Sequence, residues 1–292
     1  MTKHIPVLLN ETIEGLNVKP DGIYVDLTLG RGGHSKEVLK RLTSGHLYAF
    51  DKDETAIEES KQNLADFSEK FTGIHDDFRN FRKDLDNLKI DKIDGIMADL
   101  GVSSPQFDDV SRGFSYKDDA RLDMRMDRRQ KFSAFELVNT YPLAELTRVF
   151  REYGEDKFSY QIAKKIVENR AKKPIETTSE LVDIIKSVKP QKELMKKGHP
   201  AKQIFQAIRI EVNDELGALK VALNDTLASL KIGGRACFIT FHSLEDRLVK
   251  NAFNEVSKVE GTRHNVFALP SEKDLPYFKL NRCNRRSYPR SR

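Results

Sequence analysis

The chain has 292 residues, which at ~150 per domain leaves room for two domains. Hydrophobic residues make up 38% and charged residues 33%, with 16 Gly and 10 Pro, so collagen-like and low-complexity classes are excluded. No apolar run reaches the ~18 residues of a membrane span, the N-terminus lacks a basic start followed by an apolar run, and Cys237 and Cys283 are too few for a disulfide framework or a cysteine zinc site.

These features point to a reducing cytoplasm. The net charge of +5 is unevenly spread. Residues 109–204 hold 21 Lys/Arg against 15 Asp/Glu, and residues 279–292 hold six against none. The remainder is acidic, with 23 against 30. A basic middle and a basic tail on an acidic core suggest a polyanionic partner, whose binding would weaken with salt. A solvated basic surface is the simpler alternative.

In chain order, residues 1–108 alternate short apolar runs with amphipathic stretches. Strands are predicted at Ile23–Leu29, His46–Phe50, Phe71–His75 and Ile93–Leu100, with helical patterns at Ser35–Leu42 and Glu54–Phe67. Strands separated by helices imply βαβ units and a parallel sheet. Residues 109–204 break that rhythm. A charged loop runs from Asp109 to Lys131, and only helices are readable after it. Ser133 with Glu136, and Thr177 with Glu180, are capping boxes, and Pro174 and Pro190 stop helices. The αβ rhythm returns with one long helix over Ala201–Leu230, ended by Gly233-Gly234. A strand at Arg235–Phe241, a further helix and a hairpin at His264–Pro270 follow. The predicted architecture is a doubly wound α/β domain, residues 1–108 and 205–292, interrupted by an all-helical subdomain over 109–204.

The first strand runs into Asp26-Leu-Thr-Leu-Gly30-Arg-Gly32-Gly33-His34, and a helix follows. Glycines there let the backbone approach a ligand at the carboxyl edge of the sheet. A dinucleotide turn has Gly or Ala at the third motif position, where this chain has Ser35. An acid-x-G-x-G turn for S-adenosylmethionine has Asp26, Gly30 and Gly32 in place, with Thr28 at one glycine position. Asp26 suits a cationic ligand better than a pyrophosphate. Asp51, at the end of the second strand, suits ribose hydroxyls under either reading, with Asp53 as a competitor or a helix cap.

Longer motifs go further. They are Gly30-Arg-Gly-Gly-His-Ser35, Asp99-Leu-Gly-Val-Ser-Ser-Pro-Gln106, Arg112-Gly-Phe-Ser115, Leu122-Asp-Met-Arg-Met-Asp127, Phe205–Leu216 and Phe241-His-Ser-Leu-Glu-Asp-Arg247. In this order they closely resemble the bacterial small-subunit ribosomal RNA cytosine-N4-methyltransferase family, over almost the whole chain. The resemblance implies a class I methyltransferase fold (a Rossmann-like sheet) with an inserted helical domain for substrate recognition. It implies S-adenosylmethionine as methyl donor, and a cytidine in the decoding region of 16S rRNA, within the small subunit, as acceptor. By motif position the donor-binding residues are Gly32, Gly33, His34, Asp51, Phe78, Asp99 and Gln106.

A cytosine exocyclic amine is a weak nucleophile, so transfer calls for in-line placement and an acceptor for the released proton. Many amino-methyltransferases carry an acid/amide/Ser-Pro-Pro-aromatic segment after the fourth strand. Here it reads Ser103-Ser104-Pro105-Gln106, without the second proline or the aromatic. The candidate catalytic residues are Asp99, then Ser104, with Asp123 and Asp127 as alternatives. Asp99 serving the donor alone stays open. Candidate RNA contacts are Arg125, Arg128, His242, Arg247, Arg285 and Arg286. Internal ion pairing competes for the loop arginines, and a helix cap competes for His242. No metal site is expected, because His34, His75 and His242 lack ligand spacing. A nicotinamide-dependent oxidoreductase and an RNA-binding assembly factor are the competing functions; no obligatory protein partner is implied.

Overall fold

The structure is a computed structural model and describes residues 6–257. The hairpin expected at His264–Pro270, Cys283, and Arg285 and Arg286 lie outside the described residues. No described helix is long and apolar enough to cross a membrane.

Five strands form one sheet: β1 (Ile23–Asp26), β2 (His46–Asp51), β3 (Phe71–His75), β4 (Ile93–Asp99) and β5 (Leu230–Ile239). Their order is β3-β2-β1-β4-β5, and every pairing is parallel. In β4 the first six of seven residues are buried, as expected for a central strand covered on both faces. Helices α1 (Leu9–Leu16), α2 (Gly33–Leu39), α3 (Glu54–Asn63) and α4 (Phe81–Asn87) accompany the first four strands. Two apolar clusters result. One joins Val38 and Leu39 to Leu47, Ala49 and Met97; the other joins Val25, Phe50 and Ile96 to Phe81 and Leu85. The strand order reverses at β1, which lies between β2 and β4. Ligands of such sheets bind outside the carboxyl ends at that reversal.

After β4 the chain forms the short α5 (Ser104–Asp108) and then a helical body. That body contains α6 (Ala134–Thr140), α7 (Leu143–Glu152), α8 (Ser159–Arg170), α9 (Thr178–Val188), α10 (Gln191–Leu194) and α11 (Lys202–Asn213). Ser133 with Glu136, and Thr177 with Glu180, form the expected capping boxes. The body has its own apolar core, drawn from Phe114 through Val212.

The return to the sheet differs from the expectation of one long helix. Asp214, with φ 46°, separates α11 from α12 (Glu215–Ser229). Ile204, Phe205, Ile208 and Val212 of α11 pack in the helical body, so its core extends beyond residue 204. Leu219 and Leu223 of α12 pack under the sheet. Strand β5 also begins earlier than expected. Leu230 pairs with Ile93 and Arg235 with Gly95, so the intervening residues bulge, with Gly233 at φ 79°. Likewise, the helix expected over Glu54–Phe67 ends at Asn63 and gives way to a tighter turn over Ala65–Lys70. The last described helix is α13 (Ser243–Val256).

A buried circuit fixes the helical body to the sheet edge. Arg112 pairs with Asp53 at 2.7 Å, with side chains 5% and 8% exposed. The same guanidinium donates to the carbonyls of Arg125 (2.9 Å) and Met126 (3.0 Å). Met126 N donates to Asn213 Oδ1 at 2.8 Å, and Asn213 Nδ2 donates to Met124 O at 2.8 Å. Lys52 Nζ, adjacent in sequence to Asp53, closes the circuit on Asn213 O at 3.2 Å. Removing one partner of a buried ion pair strands the other charge. Arg112→Ala is therefore expected to cost about 3–5 kcal/mol of unfolding free energy in urea titration. A loss below about 1 kcal/mol, the value of a surface pair, would contradict this role.

Candidate active site

The glycine turn is built from inside the protein. Asp26 is 2% exposed and accepts from Ser35 Oγ at 2.6 Å and from Thr28 N at 3.0 Å. Burial pushes its carboxyl up, and the Ser35 and Thr28 bonds oppose that. The carboxylate thus braces the turn and does not reach out for a cationic ligand. Gly32 adopts φ 77° as the cap of α2, and a side chain there would strike Leu64. Gly33 lies against Pro6, where a Cβ would come within 2.4 Å of Cγ. Gly30 is the turn glycine whose missing side chain faces open space, with nothing within 4 Å of an added Cβ.

Asp51 and Asp99 flank this turn from the ends of β2 and β4. Asp51 Oδ2 accepts from Gly30 N and Oδ1 from Asp53 N, both at 2.9 Å. Each oxygen keeps a second lone pair for a ligand hydroxyl. Burial pushes its carboxyl up to about 6, against the pull of those two amides. Asp99 N donates to Thr28 Oγ1 at 2.7 Å, which locks β4 to the turn. Its Oδ2 lies 3.9 Å from His34 Nδ1, while its buried Oδ1 has no hydrogen-bond partner among the described residues. Burial pushes Asp99 up to about 6; His34 pulls it down, and Asp26 and Glu245 push it further up. His34 is held through its ring, with Nε2 3.0 Å from Val7 O.

A cleft beside these groups is lined by Thr28, Phe78, Leu100, Gly101, Met126 and Glu245, among others. Phe78 opens a short turn capped by Asp77, whose carboxylate accepts from Arg79 N. Gln106 is 8% exposed and fully engaged. Its Oε1 accepts from Ser103 N at 3.2 Å, and its Nε2 donates to Asp53 Oδ2 at 2.9 Å. It lies in α5, not on an open loop, and supports Asp53 from behind. Ser104 is the first residue of that helix. The edge as a whole offers an open glycine, an oxygen pair with spare lone pairs and one unpartnered buried carboxylate oxygen. That set fits a ligand carrying vicinal hydroxyls and a positive charge.

The structure sorts the proposed RNA contacts. Arg125 grips Asp123 through Nε (2.6 Å) and NH2 (2.8 Å), and its NH1 donates to Gln130 O at 2.8 Å. Arg129 pairs with Asp127 in the same way. Arg128 is exposed on the same loop. Arg247 is 61% exposed and 3.3 Å from Glu155 of the helical body. His242 caps α13, its Nδ1 accepting from Glu245 N at 3.4 Å, with Nε2 3.1 Å from Glu245 Oε1. Sequence reasoning missed Glu245, Arg112 and Asn213. Arg112 meets Asp53 59 residues away and Asn213 meets Met126 and Met124 87 and 89 residues away, whereas Glu245 bonds Phe241 and His242 locally, and the His242–Glu245 spacing is a capping-box pattern.

The raised Asp99 value sets a stability test. The folded protein holds this proton more tightly than the unfolded chain. The resulting stabilisation is full below about pH 4 and is lost as the pH rises through 6. Asp99→Asn is therefore expected to raise the thermal midpoint at pH 7.5, by roughly 2 °C or more, with the gain vanishing near pH 4. An unchanged or lower midpoint at pH 7.5 would contradict a carboxylate held ionised against its burial.

The family profile of the MraW methylases matches residues 1–282. Solved structures with local similarity include a candidate rRNA methylase from Clostridium thermocellum, at 24% identity over 34% of this chain and 54% of that chain, with a TM-score of 0.30. A SAM-dependent O-methyltransferase from Thermotoga maritima matches at 19% over 34% and 38%, with a TM-score of 0.29. An rRNA methylase from Streptococcus thermophilus matches at 21% over 41% and 71%, with a TM-score of 0.27. This chain spans about half the length of the first of these, 54%. A parallel sheet of order β3-β2-β1-β4-β5, a glycine turn after β1 and an acid ending β2 accompany the full-length family match. The chain belongs to the MraW methylase family, with the class I fold of S-adenosylmethionine-dependent methyltransferases.

Proposed function

We propose that the protein transfers a methyl group from S-adenosylmethionine to the exocyclic N4 of a cytidine in the decoding region of 16S rRNA, in the cytoplasm and on the small ribosomal subunit. The observation that carries this reading is Asp99 at the end of β4 beside the glycine turn, with a side chain 29% exposed and a buried Oδ1 that has no hydrogen-bond partner among the described residues, in a chain of a methylase family. When bound, the donor supplies an already activated methyl group. Asp51 accepts from its ribose hydroxyls, Phe78 packs against its adenine, and the turn over Gly30–His34 follows its chain. Gln106 acts from behind through Asp53.

Asp99 has the further role of meeting the amine. The exposed part of its carboxylate accepts a hydrogen bond from N4, orients that nitrogen and takes up the proton as the nitrogen–carbon bond forms and the donor's carbon–sulfur bond breaks. A carboxylate raised to about 6 is ionised at neutral pH, yet basic enough for that task. Ser104, which opens α5 beyond it, is the second candidate. Helical-body and flanking arginines, Arg128 and Arg247 foremost, meet RNA phosphate, with His242 holding the start of α13 in place. Arg125 acts indirectly by shaping its loop through Asp123.

The test uses methyl-labelled S-adenosylmethionine and small subunits from cells lacking this gene, with naked 16S rRNA in parallel. Label is expected in N4-methylcytidine after digestion to nucleosides, and Asp99→Asn is expected to lower the rate by 10²-fold or more, a typical size for a general base. Label in another nucleoside, or an unimpaired Asp99→Asn, would contradict the assignment.

A further inference from the structure

A base drawn out of an RNA stack loses the faces of its neighbours, and proteins commonly replace them with an aromatic ring. The segment after β4 carries its aromatic residue one position beyond Gln106, at Phe107, whose ring pairs with Phe114 at 6.4 Å between centroids. Its Ser103-Ser104-Pro105-Gln106 folds into the start of α5 and buries Gln106.

The neighbouring strand brings another. β4 and β5 run side by side with Asp99 opposite Ile239, and Leu100 N donates to Ile239 O at 3.0 Å. Two residues further along each chain come Gly101 and Phe241. The Phe241 ring lies against this glycine, with Cδ2 3.4 Å from where a Cβ would stand. Gly101 holds φ 100° and lines the cleft beside Asp99. Phe241 is 57% exposed, so one side of it is free to meet a ligand.

Its backbone, by contrast, is fixed. Phe241 N donates to Glu245 Oε2 at 2.9 Å, and Glu245 is itself 2% exposed and engaged in the α13 cap. A ring on a rigid base with an open face is suited to stacking, and stacking tolerates any base because every base has a π-face. The plane then comes from the ring and the choice of amine from Asp99.

We propose that the exposed Phe241 ring is the platform on which the acceptor base stacks beside Asp99, making Phe241 a positioning residue for methyl transfer and not part of the donor site. The proposal rests on the cytidine reading above for the identity of the base.

The experiment compares wild type, Phe241→Tyr and Phe241→Leu. Donor affinity is measured by calorimetry, methyl transfer to unmodified small subunits by initial rates, and the labelled product by nucleoside analysis. All three are expected to bind the donor within about twofold of one another, because the ring lies outside the donor site. Phe241→Tyr is expected to keep kcat/KM within about threefold, and Phe241→Leu to lose roughly 10- to 100-fold, the effect of one base–aromatic stack. Equal kcat/KM for Phe241→Leu and wild type would overturn the platform, as would a parallel loss of donor affinity. Label in a nucleoside other than N4-methylcytidine, with the aromatic dependence intact, would overturn the cytidine reading and leave the platform standing. Absence of any label with wild type would overturn both.

Discussion

The buried pairing of Asp53 with Arg112 is the contact on which the two parts of the molecule depend. A parallel sheet leaves its carboxyl edge open, and an inserted helical body can lean over that edge at many angles. Arg112 removes this freedom by binding the sheet through Asp53 and the inserted loop through two backbone carbonyls. Asn213 holds the same loop from the far end of the insertion, and Lys52 brings the chain of bonds back beside Asp53. Buried ion pairs add little net stability, but they are costly to break. They therefore select one docking geometry over its neighbours more than they strengthen the fold.

The edge so enclosed gathers several carboxylates. Asp26, Asp51, Asp99 and Glu245 all lie on it, answered by backbone amides, hydroxyls, two histidines and the nearby charges of Lys52 and Arg209. Burial, with a lesser push from neighbouring carboxylates, raises Asp51 and Asp99 to about 6. A cationic ligand favours the ionised form of both carboxylates. Such raised values are common at active sites. The two carboxylates divide the work by geometry. Asp51 is pinned by two amides and keeps its outer lone pairs, whereas Asp99 keeps one buried oxygen without a hydrogen-bond partner among the described residues.

Much of this was legible in the sequence because it is local. Short apolar runs place β1 to β4 to within a few residues, and Ser133–Glu136 and Thr177–Glu180 mark helix starts through their own spacing. Asp51 and Asp99 were readable as strand-end acids. The break at Asp214 was not, because one apolar stripe continues across it while serving two different cores. The only local sign was the Asn213-Asp214 pair, residues that tolerate a left-handed backbone. The Asp53–Arg112 contact spans 59 residues, and no spacing rule reaches that far. Phe241 ends the strand expected from sequence, and its place against Gly101 follows from the β4–β5 pairing, which no local pattern gives.

Whether the buried circuit sets the reaction geometry is tested most directly by Asn213→Ala. This change leaves the donor-side residues untouched but removes the link between Met124, Met126 and the end of α11. Donor affinity and kcat/KM for small subunits would be measured on the same folded preparation. Loss of these buried bonds is expected to leave donor affinity within about threefold while lowering kcat/KM by roughly tenfold or more. Unchanged kcat/KM in a folded Asn213→Ala protein would show that the helical body finds its working position without the circuit.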